Sequence, residues 1–338
     1  MASKNAPSGR PVPWMEKYRP KRVADVVHQQ EVVKMLKSVI SEGNMPHLLF
    51  YGPPGTGKTS AVLALAHELF GKDGVKERVL ELNASDDRGI SVVREKIKMY
   101  TRMNISKGKM HSETGKEMHP WKIVILDEAD MMTADAQAAL RRIIEAFSKS
   151  TRFVIICNYV HKIIDPLFSR CSSYRFQTIS PEAQKSRLKY ICSQENIEIT
   201  EQVLDAILKV SQGDLRRGVT LLQSAHTLFD VVTEREIYEV AGYPPDKVIS
   251  SLLHACSLSL DAVSEAVDNI VAEGWDISTI LKEMVQHVAG MYISDSQKAK
   301  ICFDISNKDF ALIRGAGEYL QLMSLCINIY RIFKEDTS

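Results

Sequence analysis

Residues 48–59 read Leu48-Leu49-Phe50-Tyr51-Gly52-Pro53-Pro54-Gly55-Thr56-Gly57-Lys58-Thr59. The last eight match GxxxxGK[ST], the pattern of a phosphate-binding loop, and a helical pattern follows them at 60–69. Glycines let backbone N–H groups turn toward phosphates, and the N-terminus of the following helix adds a favourable potential. The stretch therefore predicts a strand–loop–helix unit that binds the phosphates of a nucleotide.

This loop supplies the first candidate site residues. In such loops the lysine reaches the β- and γ-phosphates of ATP and the adjacent hydroxyl ligates Mg²⁺, which assigns these roles to Lys58 and Thr59. ATP and Mg²⁺ are thus the predicted cofactors. The candidate ATP contacts in this segment are Gly52, Pro53, Pro54, Gly55, Thr56, Gly57, Lys58, Thr59 and Ser60.

Polar side chains follow two further apolar runs. Asp127 and Glu128 follow the run at 123–126, and Asn158 follows the run at 153–157. Ligands of open α/β sheets bind at the carboxyl ends of strands. We expect Asp127 to hold Mg²⁺ through water and Glu128 to orient and polarise the attacking water. Asn158 can position the γ-phosphate, although asparagine at a strand end is also a common turn residue.

Apolar runs alternate with helical patterns as far as about residue 176, which predicts a parallel sheet covered on both faces. The predicted strands are 47–51, 79–82, 122–126, 152–157 and 173–176. Beyond Ser180 the pattern is helical and includes a long final helix near 310–333. We predict a disordered lead-in at 1–13, an α/β domain at 14–178, a small helical domain at 179–242 and a helical C-terminal domain at 243–338.

Composition excludes several classes of protein. With 45% hydrophobic and 25% charged residues, the composition excludes a disordered chain, a collagen-like repeat and a disulfide scaffold. No apolar run approaches the roughly 18 residues that a membrane span needs. The six cysteines are widely spaced and never form CxxC, so we expect reduced thiols in the cytosol or nucleus rather than disulfides or zinc.

Taken in order, these motifs resemble those of the AAA+ ATPases. Four further stretches resemble the small subunits of replication factor C, the eukaryotic sliding-clamp loader: 14–20 (WMEKYRP), 82–86 (LNASD), 169–171 (SRC) and 213–217 (GDLRR). The resemblance covers the chain from Trp14 onward. It implies an α/β fold with an AAA+ parallel-sheet P-loop domain, a helical lid domain and an all-helical collar domain that builds the oligomer.

The resemblance also implies a function and partners. It implies a nuclear ATPase that joins one large and three other small subunits. This heteropentamer opens a ring-shaped clamp and loads it onto primer–template DNA, without sequence specificity, in replication and repair. ATP binding drives clamp engagement, and DNA-triggered hydrolysis releases the clamp. The segment at 100–120 is expected on the face that meets the clamp.

Site residues carried over from this resemblance extend the ATP site. Arg170 would reach the ATP of the neighbouring subunit, and Arg216 would contact the bound phosphates in cis. Asn83 would hold the catalytic glutamate away from water until DNA binds. The segment at 15–20, with Val26 and Val27, would wall the adenine and ribose. The assigned contacts there are Met15, Arg19 and Val27, although Met15 and Val27 could equally be core residues.

The charge is unevenly distributed. The net charge is +1, yet residues 1–177 carry 28 basic and 19 acidic groups, and the segment 88–109 has seven Lys or Arg and one acid. Arg94 and Lys98 are four residues apart and share a helix face, which is either a solvated face or a phosphate-tracking one. The resemblance favours DNA contact by Arg88, Arg94 and Lys98, with Lys162 a weaker candidate.

Three other interpretations compete. A superfamily 2 helicase, suggested by Asp127-Glu128-Ala129-Asp130, would need a second parallel sheet that the residues after Ser180 do not form. Another AAA+ DNA machine, such as a helicase loader or a branch-migration motor, remains the alternative. A structural ring subunit would bind nucleotide without turnover, but Glu128 argues against it.

Overall fold

The computed structural model describes residues 12–26, 29–84, 90–103 and 119–335. A parallel sheet of five strands runs in the order β2-β3-β4-β1-β5. The strands are β1 (Leu48–Tyr51), β2 (Val79–Asn83), β3 (Lys122–Asp127), β4 (Thr151–Cys157) and β5 (Ser172–Arg175). Each begins and ends within one residue of its predicted bounds, and the α/β fold is confirmed.

The strand order decides which strand ends are neighbours. β4 pairs with β1 on one side and with β3 on the other. Because neighbouring parallel strands end at the same edge of a sheet, the residues at the ends of these three strands meet there. The phosphate loop, Asn158 and Asp127 are therefore brought to one edge.

Alternate side chains of the strands enter two different cores. Leu48 and Phe50 face one core, and Leu49, between them, faces the other. Helices cover both faces, so the central positions of β1, β3 and β4 are apolar and these strands appear in the sequence as continuous runs rather than as alternation. The helices are α1 (Trp14–Lys17), α2 (Gln30–Glu42) and α3 (Lys58–Arg78), then α4 (Ile90–Arg102), α5 (Ala134–Phe147) and α6 (Asp165–Phe168).

Only helices follow the sheet in the part of the chain that the structure describes. Ser180 caps the first of them by accepting a hydrogen bond from the Ala183 N–H, with Pro181 at the first helical position. They are α7 (Pro181–Glu195), α8 (Glu201–Ser211), α9 (Leu215–Leu228), α10 (Glu234–Ala241), α11 (Asp246–Leu258), α12 (Leu260–Glu273), α13 (Ile277–Gly290), α14 (Asp295–Ile313) and α15 (Glu318–Glu335).

The chain divides into two compact units. One comprises residues 1–198 and 211–223, and the other comprises residues 199–210 and 224–338. In the second unit, α11 to α15 enclose a core that includes Ile249, Val267, Met284 and Ile329. The second unit therefore has an apolar core of its own.

The final helix predicted near 310–333 is present, but its predicted start is wrong, since it begins at Glu318. Two helices occupy this region, because α14 ends at Ile313 and α15 begins at Glu318. Gly315 between them has φ +89°, a conformation that glycine adopts without strain and that cannot continue a helix. The resulting turn lets α15 pack back against α14.

The cysteines are free thiols, most of them buried. None of the six cysteines, all of them within the described residues, forms a disulfide. Burial raises the pKa of the Cys157 thiol to about 12 and those of Cys171 and Cys192 to about 11, which keeps these thiols protonated. Within residues 12–335, apart from the gaps, no helix has the length and apolar character to cross a bilayer.

Replacing Asp276 with Ala should lower the free energy of unfolding of the second unit by about 1 kcal/mol. Its carboxylate caps α13 by accepting hydrogen bonds from the Thr279 N–H at 2.9 Å and the Thr279 hydroxyl at 2.6 Å. Calorimetry of the full chain measures the effect as a lower thermal midpoint. Asp295→Ala is the control, since the neighbouring Ser294 caps α14. Equal losses in the two variants would contradict the capping role.

Candidate active site

The phosphate loop makes two close approaches that only glycine permits. Gly52 has φ +143°, and a Cβ there would lie 2.2 Å from the carbonyl oxygen of Phe176. Gly55 has φ +69°, and a Cβ there would lie 1.8 Å from Oδ1 of Asp214. Asp214 lies just before α9, and its carboxylate accepts a hydrogen bond from the Arg217 N–H at 3.2 Å. The loop and the start of α9 are thus packed together.

The side chain of Lys58 joins the ends of β1 and β4. Its ammonium donates hydrogen bonds to the carbonyl oxygens of Gly52 and Pro53, each at 2.8 Å, and to Oδ1 of Asn158 at 2.9 Å. Burial lowers the pKa of Lys58, and the carboxylates of Asp127 and Asp130 oppose that shift. The prediction that Lys58 and Asn158 share a site therefore corresponds to a direct contact.

Thr59 and the end of β3 form a second contact. The Thr59 hydroxyl donates to Oδ2 of Asp127 at 2.6 Å, and Oδ1 of Asp127 accepts from the Glu128 N–H at 2.8 Å. A hydroxyl beside a carboxylate is the oxygen set that Mg²⁺ prefers, so these residues fit the predicted ion. Asn83 of β2 lies opposite Asp127 in the strand register.

Glu128 leaves the strand in a left-handed conformation, with φ +54° and ψ +37°. This conformation is uncommon for a residue with a side chain and is a feature of functional sites. It turns the chain into the short helical turn Ala129–Met131, and Glu128 lines the cleft above the phosphate loop. The geometry is compatible with the expected role in orienting water.

An apolar wall closes the other side of the cleft. Its residues come from the N-terminal segment, α7 and α9, and all belong to the first compact unit. Besides the loop residues 54–60, Asp127, Glu128 and Asn158, the cleft is lined by Trp14, Met15, Tyr18, Arg19, Pro20, Val26, Ile179, Arg187, Ile191, Leu215, Arg216 and Val219. Met15, Arg19 and Arg216 line this cleft, whereas Val27 lies outside the described residues.

Long-range hydrogen bonds hold the N-terminal segment in place. The Trp14 N–H donates to Gln223 at 3.0 Å, and Arg187 donates to the carbonyl oxygen of Tyr18 at 2.5 Å. Glu195 accepts from the Tyr18 hydroxyl at 2.5 Å and from the Lys17 ammonium at 2.6 Å. Tyr18 belongs to the segment 15–20 that was expected to wall the base, but its hydrogen bonds were not predicted. Arg187 was not predicted at all, because its role depends on a contact between residues far apart in the chain.

Arg216 and Arg170 occupy different surroundings. Arg216 lines the cleft, and its positive charge contributes to lowering the pKa of Lys58. Arg170 is not among the residues that line the described cleft. Its guanidinium contacts Glu145 at 2.6 Å and donates to the carbonyl oxygen of Pro166 at 2.7 Å on the exposed surface.

The candidate DNA contacts are only partly described. Lys98 is half-buried on α4, and Lys162 is exposed in the turn that follows Asn158, with its ammonium 5.1 Å from the centre of the Tyr159 ring. Arg88 lies outside the described residues, as does the side chain of Arg94. Residues 104–118 of the predicted clamp-facing segment also lie outside them.

Comparison with known proteins gives three domain matches in order. Residues 48–178 match the ATPase family associated with various cellular activities (AAA), and residues 186–227 match an AAA+ ATPase lid domain. Residues 244–328 match the replication factor C C-terminal domain. These matches confirm the expected combination of an ATPase domain, a lid and a C-terminal domain.

A solved structure shares the fold. The Holliday junction branch migration motor RuvB of Thermotoga maritima superposes with a TM-score of 0.53. Its sequence is 17% identical over 78% of this chain and 90% of that one. Identity this low shows a common fold alone, and the alternative of a branch-migration motor is not favoured.

Curated relatives match nearly end to end. Replication factor C subunit 4 of Arabidopsis thaliana is 49% identical over 93% of each chain, and the human subunit 4 is 47% identical over 95% of this chain and 88% of its own. Subunit 2 of Saccharomyces cerevisiae is 43% identical over 95% and 93%. The stretches 83–90 and 213–225 indicated the subunit numbered four in animals and two in yeast, and this is confirmed. The chain belongs to the small subunits of replication factor C, the AAA ATPases of the clamp loader.

Proposed function

We propose that the cleft binds ATP with Mg²⁺ and hydrolyses it as one site of a nuclear heteropentamer, with one large and three other small subunits. This assembly would open a ring-shaped clamp and load it onto primer–template DNA. The observation that carries the site assignment is the pair of contacts Lys58–Asn158 and Thr59–Asp127. They bring together, at one sheet edge, the groups that phosphoryl transfer requires.

The phosphate end of the site divides the work among several groups. Lys58 would donate its N–H groups to the β- and γ-phosphates, and Arg216 would bind the phosphates from the lid. Thr59 and Asp127 would hold Mg²⁺, which neutralises phosphate charge when bound. Glu128 would orient the attacking water and accept its proton, with Asn158 beside the γ-phosphate.

The base would lie against the apolar wall. Met15 and Val26 supply apolar contacts at one side of the cleft, and Arg19 adds a cation near the ribose and phosphates. The hydrogen bonds of Trp14 and Tyr18 fix this segment to α7 and α9. We assign Met15 and Arg19 to the nucleotide contacts on this basis, and Val27 on its motif position alone.

Hydrolysis would depend on assembly, because one catalytic group comes from outside the cleft. Arg170 is exposed and paired with Glu145, so it is available to a phosphate on a neighbouring subunit. An arginine supplied in trans stabilises charge on the transferring phosphoryl group. Asn83 would couple hydrolysis to DNA binding by holding Glu128 away from water until DNA is bound. It pairs in the strand register with Asp127, the residue just before Glu128.

DNA would be held through phosphates on the basic half of the chain. Lys98 and Lys162, with Arg88 and Arg94, supply the charge, and contacts of this kind carry no sequence information. The segment at 100–120 would face the clamp. We retain the predicted boundaries, with a lead-in at 1–13 and domains at 14–178, 179–242 and 243–338, the last being the collar.

Gly55→Ala should raise the dissociation constant for ATP by about tenfold or more. A Cβ would strain the φ of +69° and displace Asp214, which moves Arg216 away from the loop. Fluorescence titration of the full chain with a labelled ATP analogue measures this. Gly290→Ala is the control, because nothing lies within 4 Å of its added Cβ. Unchanged affinity in the Gly55 variant would contradict the role given to this contact.

Arg170→Ala should leave ATP binding by its own chain unchanged and reduce turnover at the neighbouring site by roughly 10³-fold. Steady-state ATPase assays of the assembled loader, with binding titrations of the full chain, separate the two effects. Arg141→Ala is a matched control, since Arg141 also pairs with Glu145, at 3.1 Å. Full-rate hydrolysis by the Arg170 variant would show that Arg170 does not act in trans.

Reversing Lys98 and Lys162 to Glu should weaken DNA binding by the loader and flatten its salt dependence. The slope of log K against log salt becomes shallower by about 0.9 for each phosphate that the protein no longer neutralises. Binding to a labelled primer–template over a salt series measures the slope. Lys247→Glu, an exposed lysine of the second unit, controls for net charge. The same affinity and slope as the wild type would show that Lys98 and Lys162 do not contact DNA.

A further inference from the structure

Asp130 is a buried carboxylate at the edge of the cleft that neither lines it nor belongs to the proposed phosphate and Mg²⁺ contacts. It is the last residue of Asp127-Glu128-Ala129-Asp130 and only 6% exposed. Its Oδ1 accepts a hydrogen bond from the Asn158 N–H, and its Oδ2 accepts one from the Tyr159 N–H, each at 3.4 Å. Both carboxylate oxygens are therefore directed at one short stretch of backbone.

This stretch lies just beyond the sheet. β4 ends at Cys157, and Asp130 receives the next two backbone N–H groups of the chain. These two N–H groups lie beyond the last ladder hydrogen bond of the strand, and backbone N–H groups in folded proteins are normally paired with an acceptor. Asp130 thus fixes the direction in which the chain leaves β4, and with it the orientation of Asn158.

Asp130 is also close in sequence to Glu128. Asp130 lies in the turn Ala129–Met131, which begins directly after the left-handed Glu128. Since β3 and β4 are neighbours, the Asp130 carboxylate connects the ends of two adjacent strands. One strand end bears Glu128, and the other bears Asn158, whose side chain accepts from Lys58.

We propose that Asp130 is a positioning residue for ATP hydrolysis, which holds Glu128 and Asn158 in a fixed relation across the ends of β3 and β4. The inference rests on the proposed hydrolytic role of this site. Most of the contacts proposed for ATP come from the phosphate loop, Thr59 and the apolar wall, whereas the hydrogen bonds of Asp130 reach only the backbone of Asn158 and Tyr159. The charge of Asp130 opposes the lowering of the Lys58 pKa but does not reverse it. Loss of Asp130 therefore affects turnover and leaves affinity largely intact.

Two substitutions grade the effect. Asp130→Asn keeps the shape and one acceptor oxygen but turns an amide N–H toward a backbone N–H, whereas Asp130→Ala removes both acceptors. We expect turnover at this site to fall roughly 10- to 100-fold in the Ala variant and less in the Asn variant. The ATP dissociation constant should stay within about threefold, a change of less than one decade in affinity.

The experiment uses the assembled loader and the full chain. The turnover that the loader loses on Lys58→Ala defines this subunit's share of total ATP turnover. The turnover lost in each Asp130 variant is then expressed as a fraction of that share. Binding of a labelled ATP analogue and the thermal midpoint are measured on each full-length variant. Asp135→Asn, an exposed acid in the first turn of α5, is the matched control.

A lost share of turnover with retained affinity and thermal midpoint supports the proposal. An unchanged share of turnover overturns it. A parallel loss of ATP affinity and thermal midpoint in the Asn variant also overturns it, because such a loss indicates a structural role alone. If the Ala variant does not fold, the Asn variant decides. If Lys58→Ala itself removes no turnover, the proposed hydrolytic function of the site fails instead.

Discussion

The ammonium of Lys58 is the group on which the site depends. Burying a charge is costly unless hydrogen bonds and opposite charges compensate, and burial lowers the pKa of Lys58 accordingly. Two loop carbonyls and Asn158 accept its hydrogen bonds, while Asp127 and Asp130 provide the opposite charge. Two of the groups that stabilise the buried cation, Asn158 and Asp127, are also assigned to the proposed phosphate and Mg²⁺ site.

The sheet topology makes this compensation possible. Asn158 can meet Lys58 because β4 is inserted between β1 and β3, although 100 residues separate the two side chains in sequence. A sheet buried on both faces leaves its carboxyl edge as the place where polar groups collect. The left-handed glycines of the loop then allow the start of α9 to pack directly against it, which brings Arg216 to the same edge.

The sequence predicted those parts of the fold whose signal is local. Apolar runs located β1 to β4, and the spacing of the loop identified Lys58 and Thr59, because each pattern is set by neighbours in the chain. The start of the final helix was predicted too early, at 310 instead of Glu318, because the apolar pattern continues across the turn at Gly315. Arg187, the hydrogen bonds of Tyr18 and the partners of Asp130 were missed, since these hydrogen bonds join segments that only the folded sheet and helices bring together.

The resemblance implies that the ATP cleft of one chain is completed by Arg170 of a neighbouring chain. The surroundings of Arg170 in its own chain are compatible with that role. In its own chain Arg170 pairs with the exposed Glu145, and Glu145 keeps a second partner in Arg141. Exposed ion pairs contribute little to stability, whereas an arginine on a phosphate forms short, bidentate, charge-assisted bonds. Moving Arg170 from Glu145 to a neighbour's nucleotide, as the proposed role in trans requires, would therefore cost little and would leave Glu145 paired with Arg141. Assembly would then complete the site without disturbing the fold that presents the arginine.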